Sequence, residues 1–230
     1  HISRVDANKG VGLPSWANLA KYAFVGKGSP EACQIVLQLA RHWELAPNLQ
    51  DYADNYLGLD CNGFVGNYLW HTWGDAKDWK DLGVIEKQRG PDCGISGYLD
   101  PPRKYISKWE DIDTSKSYIF GRVGASGNVI DSKEAGDIAH IVITEPGERQ
   151  DITLPDGSKT FAVKTVESTA TNKPTPGLSF HWYKLKDPTK NAPANKVFEI
   201  DRGPDISGGP PHQFIKFKIV ERDVTVADKP

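Results

Sequence analysis

The chain divides into a helical first part and a strand-rich second part, and this order most restricts the folds it can adopt. Apolar residues at helical spacing predict helices over 16–25 and 30–46, and a third helix from residue 61. Alternating apolar and β-branched residues predict strands near 118–123, 138–144, 160–168, 180–185, 196–200 and 213–220. Helices followed by a run of strands indicate an α+β fold with an antiparallel sheet.

The two N-terminal helices carry recognisable start and stop signals. Ser15 precedes the first helix as an N-cap residue, and Gly26 follows it. Ser29 and Pro30 open the second helix, because serine caps a helix and proline fits its first position, and Pro47 ends it. We expect the third helix to pack centrally on the sheet.

Cys61 lies in the sequence Asp-Cys-Asn-Gly-Phe-Val, which is typical of a helix start. Asp60 is a good N-cap residue, and apolar residues follow at helical spacing at positions 64, 65, 68 and 69. In the first turn, unpaired N–H groups and the helix dipole stabilise a thiolate, the nucleophilic form of cysteine. The alternative is a small buried core cysteine. The partners described next favour the nucleophile.

His140 stands within a predicted apolar strand, where a histidine needs a polar partner. It follows the turn signal Gly136-Asp137 and shares a strand face with Val142. An unpaired polar group is costly to bury, so the ring must be hydrogen-bonded. With Cys61 available, His140 is the candidate general base. The alternative is a core histidine bonded to a backbone carbonyl.

Glu167 ends the next predicted strand and is the candidate to orient His140. The segment 155–158 predicts a hairpin turn, which would place a carboxylate on the second strand near an imidazole on the first. Such a carboxylate holds the ring tautomer and stabilises the imidazolium. Ser168 and His181 are competing orienters. A solvated glutamate without a functional role is the remaining alternative.

Together these motifs, which lie between about residues 56 and 170, resemble the NlpC/P60 superfamily. Its members are papain-like cysteine peptidases and amidases, and many cut bacterial cell-wall peptides. The resemblance implies that Cys61 is the nucleophile, His140 the base and Glu167 the third polar position. It also implies a papain-like NlpC/P60 fold, in which N-terminal helices and the nucleophile helix pack on an antiparallel β-sheet.

The chain departs from the better-known peptidase branch of this superfamily at two points. That branch carries a Tyr-x-Trp-Gly-Gly stretch before the cysteine, whereas residues 51–59 contain no Gly-Gly pair, and Asn62 replaces a serine. Those features help to hold the free amine of the substrate. We therefore do not expect this chain to share the preference of that branch for substrates with a free amine. We expect a divergent member, with one catalytic domain over 1–230 and insertions around 72–117 and 171–212.

The resemblance implies hydrolysis of an amide or peptide bond, most simply in bacterial peptidoglycan peptides. The Cys61 backbone N–H should stabilise the oxyanion together with the Tyr56 hydroxyl or a nearby backbone donor. Asp60 and Asn62 belong to the same expected oxyanion and substrate-binding segment. One alternative keeps the chemistry, as an acyltransferase or thioesterase acting on lipid-linked substrates. The other is a non-catalytic cell-wall or glycan-binding module.

A group of tryptophans in or near the first insertion would serve the binding module by stacking on sugars. Burial in the core between helices and sheet is the interpretation we favour for most of them, because tryptophan is highly buried on average. The residues concerned are Trp70, Trp73, Trp79 and Trp109.

Composition limits the other classes of protein to which this chain could belong. A chain of 230 residues can bury one sizeable core, and a net charge of −2 gives no general attraction to nucleic acid. No apolar run approaches the roughly 20 residues of a membrane span. The chain starts with His1 and contains no Met, which indicates a processed or trimmed product. The resemblance implies a secreted, periplasmic or cell-wall associated protein. No metal or other cofactor is expected, and Cys33 and Cys93 either pair or are both free.

Overall fold

Among the residues that the structure describes, six antiparallel strands form a closed barrel preceded by short helices. This computed structural model describes residues 21–73, 94–99, 105–130, 139–169, 177–193, 195–205 and 213–222. The helices are α1 (Pro30–His42), α2 (Leu49–Tyr56), α3 (Cys61–Trp73) and α4 (Ile95–Leu99), with 3-10 turns at Trp109–Asp111 and Pro188–Lys190. The strands are β1 (Ser117–Arg122), β2 (Ile141–Thr153), β3 (Lys159–Thr169), β4 (Gly177–Leu185), β5 (Phe198–Asp205) and β6 (Gln213–Arg222).

Closure of the barrel depends on pairing between its first and last strands. Each strand pairs with the next in sequence, and β1 pairs with β6 in a register that places Ile119 opposite Val220. The predicted α+β papain-like NlpC/P60 fold, with helices packed on an antiparallel sheet, is therefore wrong. Apolar alternation predicts where strands lie, but it carries no information about the long-range pairing that closes a sheet.

Inward-pointing apolar residues from every strand fill the barrel. Side chains alternate between the faces of a strand, so every second residue points inward. Trp109 joins them from the turn before β1, and its Nε1–H donates to the Phe161 carbonyl at 3.0 Å. The other residues of this inner core are Ile106, Ile112, Tyr118, Phe120, Val142, Phe161, Val163, Tyr183, Leu185, Phe198, Ile200, Phe217 and Ile219.

A second core lies between the outer surface of the barrel and helices α3 and α4. Its buried residues are Val65, Leu69, Ile95, Tyr98, Leu99, Ile119, Ile141, Ile143, Val166 and Val220. Gly121 allows α4 to approach β1 closely, because a Cβ atom there would lie 1.9 Å from Leu99 Cδ1. This core sets α3, which begins at Cys61, against β2 and β3.

The sequence signals for α1 are confirmed at its start and not at its end. The Ser29 hydroxyl accepts from the Ala32 N–H at 3.2 Å, and Pro30 is the first helical residue. The helix ends at His42, before the predicted stop at Pro47. Of the predicted helix over 16–25, residues 21–24 are described and are helical.

Helix α2 was not predicted, because it is only eight residues long and mostly polar. Its few apolar residues do stand at helical spacing, at positions 49, 52, 53 and 56. Its start nevertheless has a cap, since the Asn48 side chain accepts from the Gln50 N–H at 2.9 Å. In the part of the chain that the structure describes, no helix has both the length and the apolar character needed to cross a membrane.

Strand β2 continues past residue 144, where the predicted strand ended, and runs through Pro146 and Gly147. The pairing between β2 and β3 shifts register between Thr144 and Arg149, which is a bulge. Gly147 has a φ of 85° there, a conformation that favours glycine. The Pro-Gly pair therefore marks a bulge within the strand. The hairpin turn predicted at 155–158 connects β2 to β3 as expected.

Candidate active site

Cys61 is the first residue of α3, and its side chain is partly buried. The Oδ1 atom of Asp60 accepts from the Gly63 N–H at 2.5 Å, so the predicted N-cap is confirmed. The Lys27 ammonium lies 2.8 Å from the other oxygen of the same carboxylate. The Asp60 side chain, expected in the substrate-binding segment, is thus engaged in capping and in an ion pair.

The residues before Cys61 are held on one side by a turn near Gly26. The Asp60 N–H donates to the Gly26 carbonyl at 3.0 Å. A Cβ atom at Gly63 would lie 1.8 Å from that carbonyl oxygen, so a larger residue would push the turn away. The glycine in the motif therefore permits the close approach that fixes the start of α3.

On the other side, Ser168 of β3 holds the same segment to the barrel. Its hydroxyl donates to the Leu59 carbonyl, two residues before Cys61. Ser168 was predicted as a competing orienter of His140. It instead connects the strand that carries Glu167 to the segment that carries the thiol.

His140 lies directly before β2, one residue outside the strand in which it was predicted. Its carbonyl accepts from the Arg122 N–H at 2.9 Å, which continues the β1–β2 ladder. The parity it shares with Val142 directs its side chain toward the barrel interior. The ring hydrogen-bonds with Cys61, and its Nε2–H donates to Glu167 Oε2. Nδ1 is therefore the nitrogen left for the thiol.

Glu167 is fully buried, with 0% of its surface exposed. Strands β2 and β3 pair with Ile143 opposite Val166, and this register places Glu167 on the inward face, diagonally across from His140. A solvated strand-end glutamate does not describe this residue. The structure thus brings Cys61, His140 and Glu167 into one continuous series of contacts.

The charges of this cluster move the pKa values of His140 and Glu167 in opposite directions. Burial favours neutral imidazole, but hydrogen bonds with Cys61 and Glu167 and their negative charges outweigh it and raise the pKa of His140 to about 9. Burial also opposes ionisation of Glu167, but its hydrogen bond with His140 and the charges of His140 and Arg202 lower its pKa to about 2. At neutral pH the cluster contains a carboxylate and an imidazolium.

Further buried polar residues surround Glu167, and two of them were not predicted from the sequence. Arg202 Nε donates to Glu167 Oε1 at 2.9 Å, and the Tyr183 hydroxyl donates to the same oxygen at 3.3 Å. Arg202 follows Ile200 at the inward spacing of β5, so a charge at an inward strand position was the available signal. The predicted strand over 196–200 ended just before it.

His181, the other predicted competitor, lies in this buried group on β4. Its Nδ1–H donates to the Gly203 carbonyl at 2.9 Å. Its Nε2 lies 3.0 Å from Arg202 Nη2 and 3.2 Å from Glu167 Oε1. It therefore adjoins the oxygen of Glu167 that does not bond His140.

The cluster opens onto a cleft of about 790 Å³ that Cys61, His140 and Arg202 help to line. Tyr56 also lines this cleft, with 60% of its surface exposed. Tyr56 is thus accessible to a molecule in the cleft. Asn62, also expected in this segment, is buried in α3 and lies outside the described lining of the cleft.

Several predicted features lie outside the described residues. They include Gly136-Asp137, Cys93, and the side chains of Trp70, Trp73 and Trp79. Trp109, the remaining tryptophan of that group, is buried in the inner core. Among the described residues, no group of three or more His, Cys, Asp and Glu side chains is arranged to hold a metal ion.

Comparisons with protein-family models, with curated proteins and with solved structures give no match for this chain. The site is therefore interpreted from its own geometry.

Proposed function

We propose that this protein is a cysteine hydrolase that cleaves an amide or peptide bond. The observation that supports it is the contact series in the cleft: a helix-start thiol, an imidazole bonded to it, and a buried carboxylate on the other ring nitrogen. A nucleophile, a base and an orienting group in this order are what covalent amide hydrolysis requires. Cys61, His140 and Glu167 take these roles.

Acylation begins from a thiolate on Cys61 and an imidazolium on His140. The thiolate attacks the amide carbon, a C–S bond forms, and the carbonyl electron pair moves onto oxygen. As the C–N bond breaks, His140 gives its proton to the leaving nitrogen. The products of this half-reaction are a free amine, a thioester on Cys61 and a neutral imidazole.

Deacylation reverses the role of His140. The neutral imidazole takes a proton from water while the water oxygen attacks the thioester carbon. Collapse of this second tetrahedral intermediate breaks the C–S bond, releases the acid and restores the starting charges. Glu167 stays ionised throughout and stabilises the imidazolium each time it forms.

The oxyanion of both intermediates would form next to the first turn of α3. The Cys61 backbone N–H and the positive end of the helix dipole favour negative charge there. The accessible Tyr56 hydroxyl in the same cleft is the proposed second donor. Asn62 is too deeply buried for its side chain to serve, so any contribution from it would come from its backbone.

The substrate we propose is a peptide of the bacterial cell wall, and the proposed site of action is outside the cytoplasm. The support is the resemblance of the motif around Cys61 to the NlpC/P60 superfamily, together with a cleft lined by both polar and apolar residues. The second candidate is an acyltransferase or thioesterase. It is favoured by two exposed apolar side chains in the lining of the cleft, since Val25 and Tyr56 are 50% and 60% exposed and would accommodate an acyl chain.

Digestion of purified peptidoglycan peptides, followed by mass spectrometry, tests the activity. We expect cleavage by the wild type, no cleavage by Cys61→Ala, and wild-type cleavage by the matched control Cys33→Ala. Cleavage of acyl thioesters in place of peptides would support the second candidate. Full turnover by Cys61→Ala would refute both.

Thiol reactivity tests the nucleophile without a substrate. Iodoacetamide near neutral pH should label Cys61 much faster than Cys33, because burial and then the charge of Glu31 raise the pKa of the Cys33 thiol. Peptide mapping separates the two sites. Equal labelling rates would indicate a structural thiol and would favour the non-catalytic binding module.

A further inference from the structure

We propose that Arg202 is a positioning residue of the proposed hydrolase, acting on His140 through Glu167 by fixing the carboxylate and offsetting its charge. This inference rests on the function proposed above. It adds a fourth residue from β5 to a site otherwise built from α3, β3 and the start of β2.

The two oxygens of Glu167 have separate partners. Oε2 accepts from His140, while Oε1 accepts from Arg202 Nε at 2.9 Å and from the Tyr183 hydroxyl at 3.3 Å. A carboxylate held at both oxygens cannot rotate away from the imidazole. The donors on Oε1 therefore set the direction of the bond that Oε2 offers to His140.

The Arg202 guanidinium is itself fixed at all three nitrogens. Besides the contact with Glu167, Nη1 donates to Gln213 Oε1 at 2.9 Å, and Nη2 lies 3.0 Å from His181 Nε2. Only 5% of Arg202 is exposed. A planar fork with this many bonds holds one orientation, which a lysine could not reproduce.

The contacts of His181 assign it as a neutral ring. Arginine only donates hydrogen bonds, so His181 Nε2 must accept from Arg202 Nη2. Its Nδ1–H then donates to the Gly203 carbonyl, which can only accept. The approach of His181 Nε2 to Glu167 Oε1 at 3.2 Å becomes an ion pair only when the ring is protonated. Arg202 is charged at every pH, so it is the constant positive charge beside Glu167.

This charge affects His140 because the groups are buried together. His140 faces Cys61 from α3 and Glu167 from β3, and Arg122 of β1 lines the same cleft. Glu167 in turn faces Arg202 of β5 and Tyr183 and His181 of β4. Without Arg202, the full charge of the carboxylate would act on the imidazolium. His140 would then hold its proton more tightly and donate it to the leaving group more slowly.

The experiment is a pH titration of the imidazole nitrogens by NMR, using full-length protein with ¹⁵N-labelled histidine. Arg202→Met should move the His140 midpoint to higher pH, by on the order of one pH unit. Arg202→Lys should bring the midpoint back toward wild type, because the charge is restored. The matched control Arg149→Met removes an exposed arginine paired with Asp151 and should leave the midpoint unchanged. An unchanged midpoint in Arg202→Met would overturn the inference.

A double-mutant comparison tests whether Arg202 acts through Glu167. In the Glu167→Gln background there is no carboxylate charge to offset, so adding Arg202→Met should move the midpoint by less than half as much. An equal movement would show that Arg202 acts on His140 directly, which refutes the inference. If Arg202→Met alone does not fold, Arg202→Gln, which is also uncharged but can still hydrogen-bond, replaces it in both backgrounds.

The experiments distinguish failure of the role proposed for Arg202 from failure of the proposed hydrolase function. Slow iodoacetamide labelling of wild-type Cys61 counts against the hydrolase itself. Fast labelling of Cys61, combined with an unmoved His140 midpoint in Arg202→Met, counts against the role of Arg202 alone.

Discussion

The two ends of the barrel interior are built from the same strands but hold different chemistry. At one end, inward positions carry apolar side chains that pack against Trp109. At the other end, the continuation of the same strand faces carries charged and polar groups. The inward residues at this polar end include His140, Thr165, Glu167, Ser179, His181 and Arg202.

This difference separates what stabilises the fold from what would perform chemistry. Apolar burial contributes about 25 cal/mol per Å² of surface removed from water, so the apolar end favours the folded state directly. Buried charges are tolerated only when each has a partner, and removing one partner costs about 3–5 kcal/mol. We therefore expect substitutions at the apolar end to change stability alone, and substitutions at the polar end to change reactivity as well.

The largest expected effect is that of Glu167→Gln at the polar end. The amide cannot stabilise an imidazolium as a carboxylate does, so the maximal rate should fall roughly 10³–10⁴-fold. Steady-state kinetics on the peptide substrate measures it, at a temperature where circular dichroism shows the variant fully folded. A near-normal rate in Glu167→Gln would remove this residue from the site and leave only the pair Cys61 and His140.

The second prediction concerns the apolar end. Phe217 is fully buried and packs edge-on against Phe120, with ring centroids 5.9 Å apart. Phe217→Ala should lower the free energy of unfolding by about 3–5 kcal/mol, because it opens a cavity. Urea denaturation measures the loss. The rate of Cys61 alkylation in the folded variant should equal that of wild type, and a large fall in that rate would show that the two ends are not independent.

The six strands that form the barrel could be predicted from the sequence because their signals are local. Apolar alternation located all six described strands, and turn residues located the hairpin at 155–158. The closure between β1 and β6 could not be predicted, since it joins residues far apart in sequence. Helix α2 was missed because its apolar stripe spans only eight mostly polar residues. The extension of β2 was missed because a Pro-Gly pair occurs both at strand ends and at bulges.

The candidate site divides in the same way. Hairpin pairing is sufficient to predict that His140 and Glu167, at the ends of adjacent strands, lie close together. The proximity of Cys61 to them was predicted from the resemblance of the motifs, because no local pattern joins these distant segments. Arg202 reaches Glu167 through the β4–β5 pairing and its bulge, which no local pattern encodes. Arg202 can contact Glu167 only when β3, β4 and β5 are paired in the folded barrel.

A smaller effect on the rate is expected from Ser168→Ala. Ser168 lies where the polar end of the barrel contacts the residues just before Cys61. Loss of the hydroxyl releases the Leu59 carbonyl and lets Cys61 drift from His140. We expect the maximal rate to fall about tenfold with little change in KM, because a misplaced nucleophile affects the reacting geometry more than binding. Ser168→Thr retains the hydroxyl and is the matched control. Equal losses in the two variants would indicate a packing effect instead of the hydrogen bond.

The last prediction is the dependence of stability on pH, which we expect to arise at the polar end. The pKa of His140 rises from 6.5 to about 9 in the folded protein, so its contribution is complete below pH 6.5 and is lost as pH rises through 9. The pKa of Glu167 falls from 4.5 to about 2, so its contribution is complete above pH 4.5 and is lost as pH falls through 2. The pair therefore stabilises the fold most between pH 4.5 and 6.5.

Urea unfolding midpoints measured at pH 5.5, 7 and 9.5 test the contribution of His140. We expect the midpoint to fall as the pH rises. Glu167→Gln should flatten the decline, because the charge that raises the pKa of His140 is gone. Phe217→Leu should instead lower the midpoint by the same amount at every pH, since apolar burial does not titrate. If the alkaline decline persists unchanged in Glu167→Gln, groups other than His140 cause it, and the polar end does not carry the pH dependence that its geometry implies.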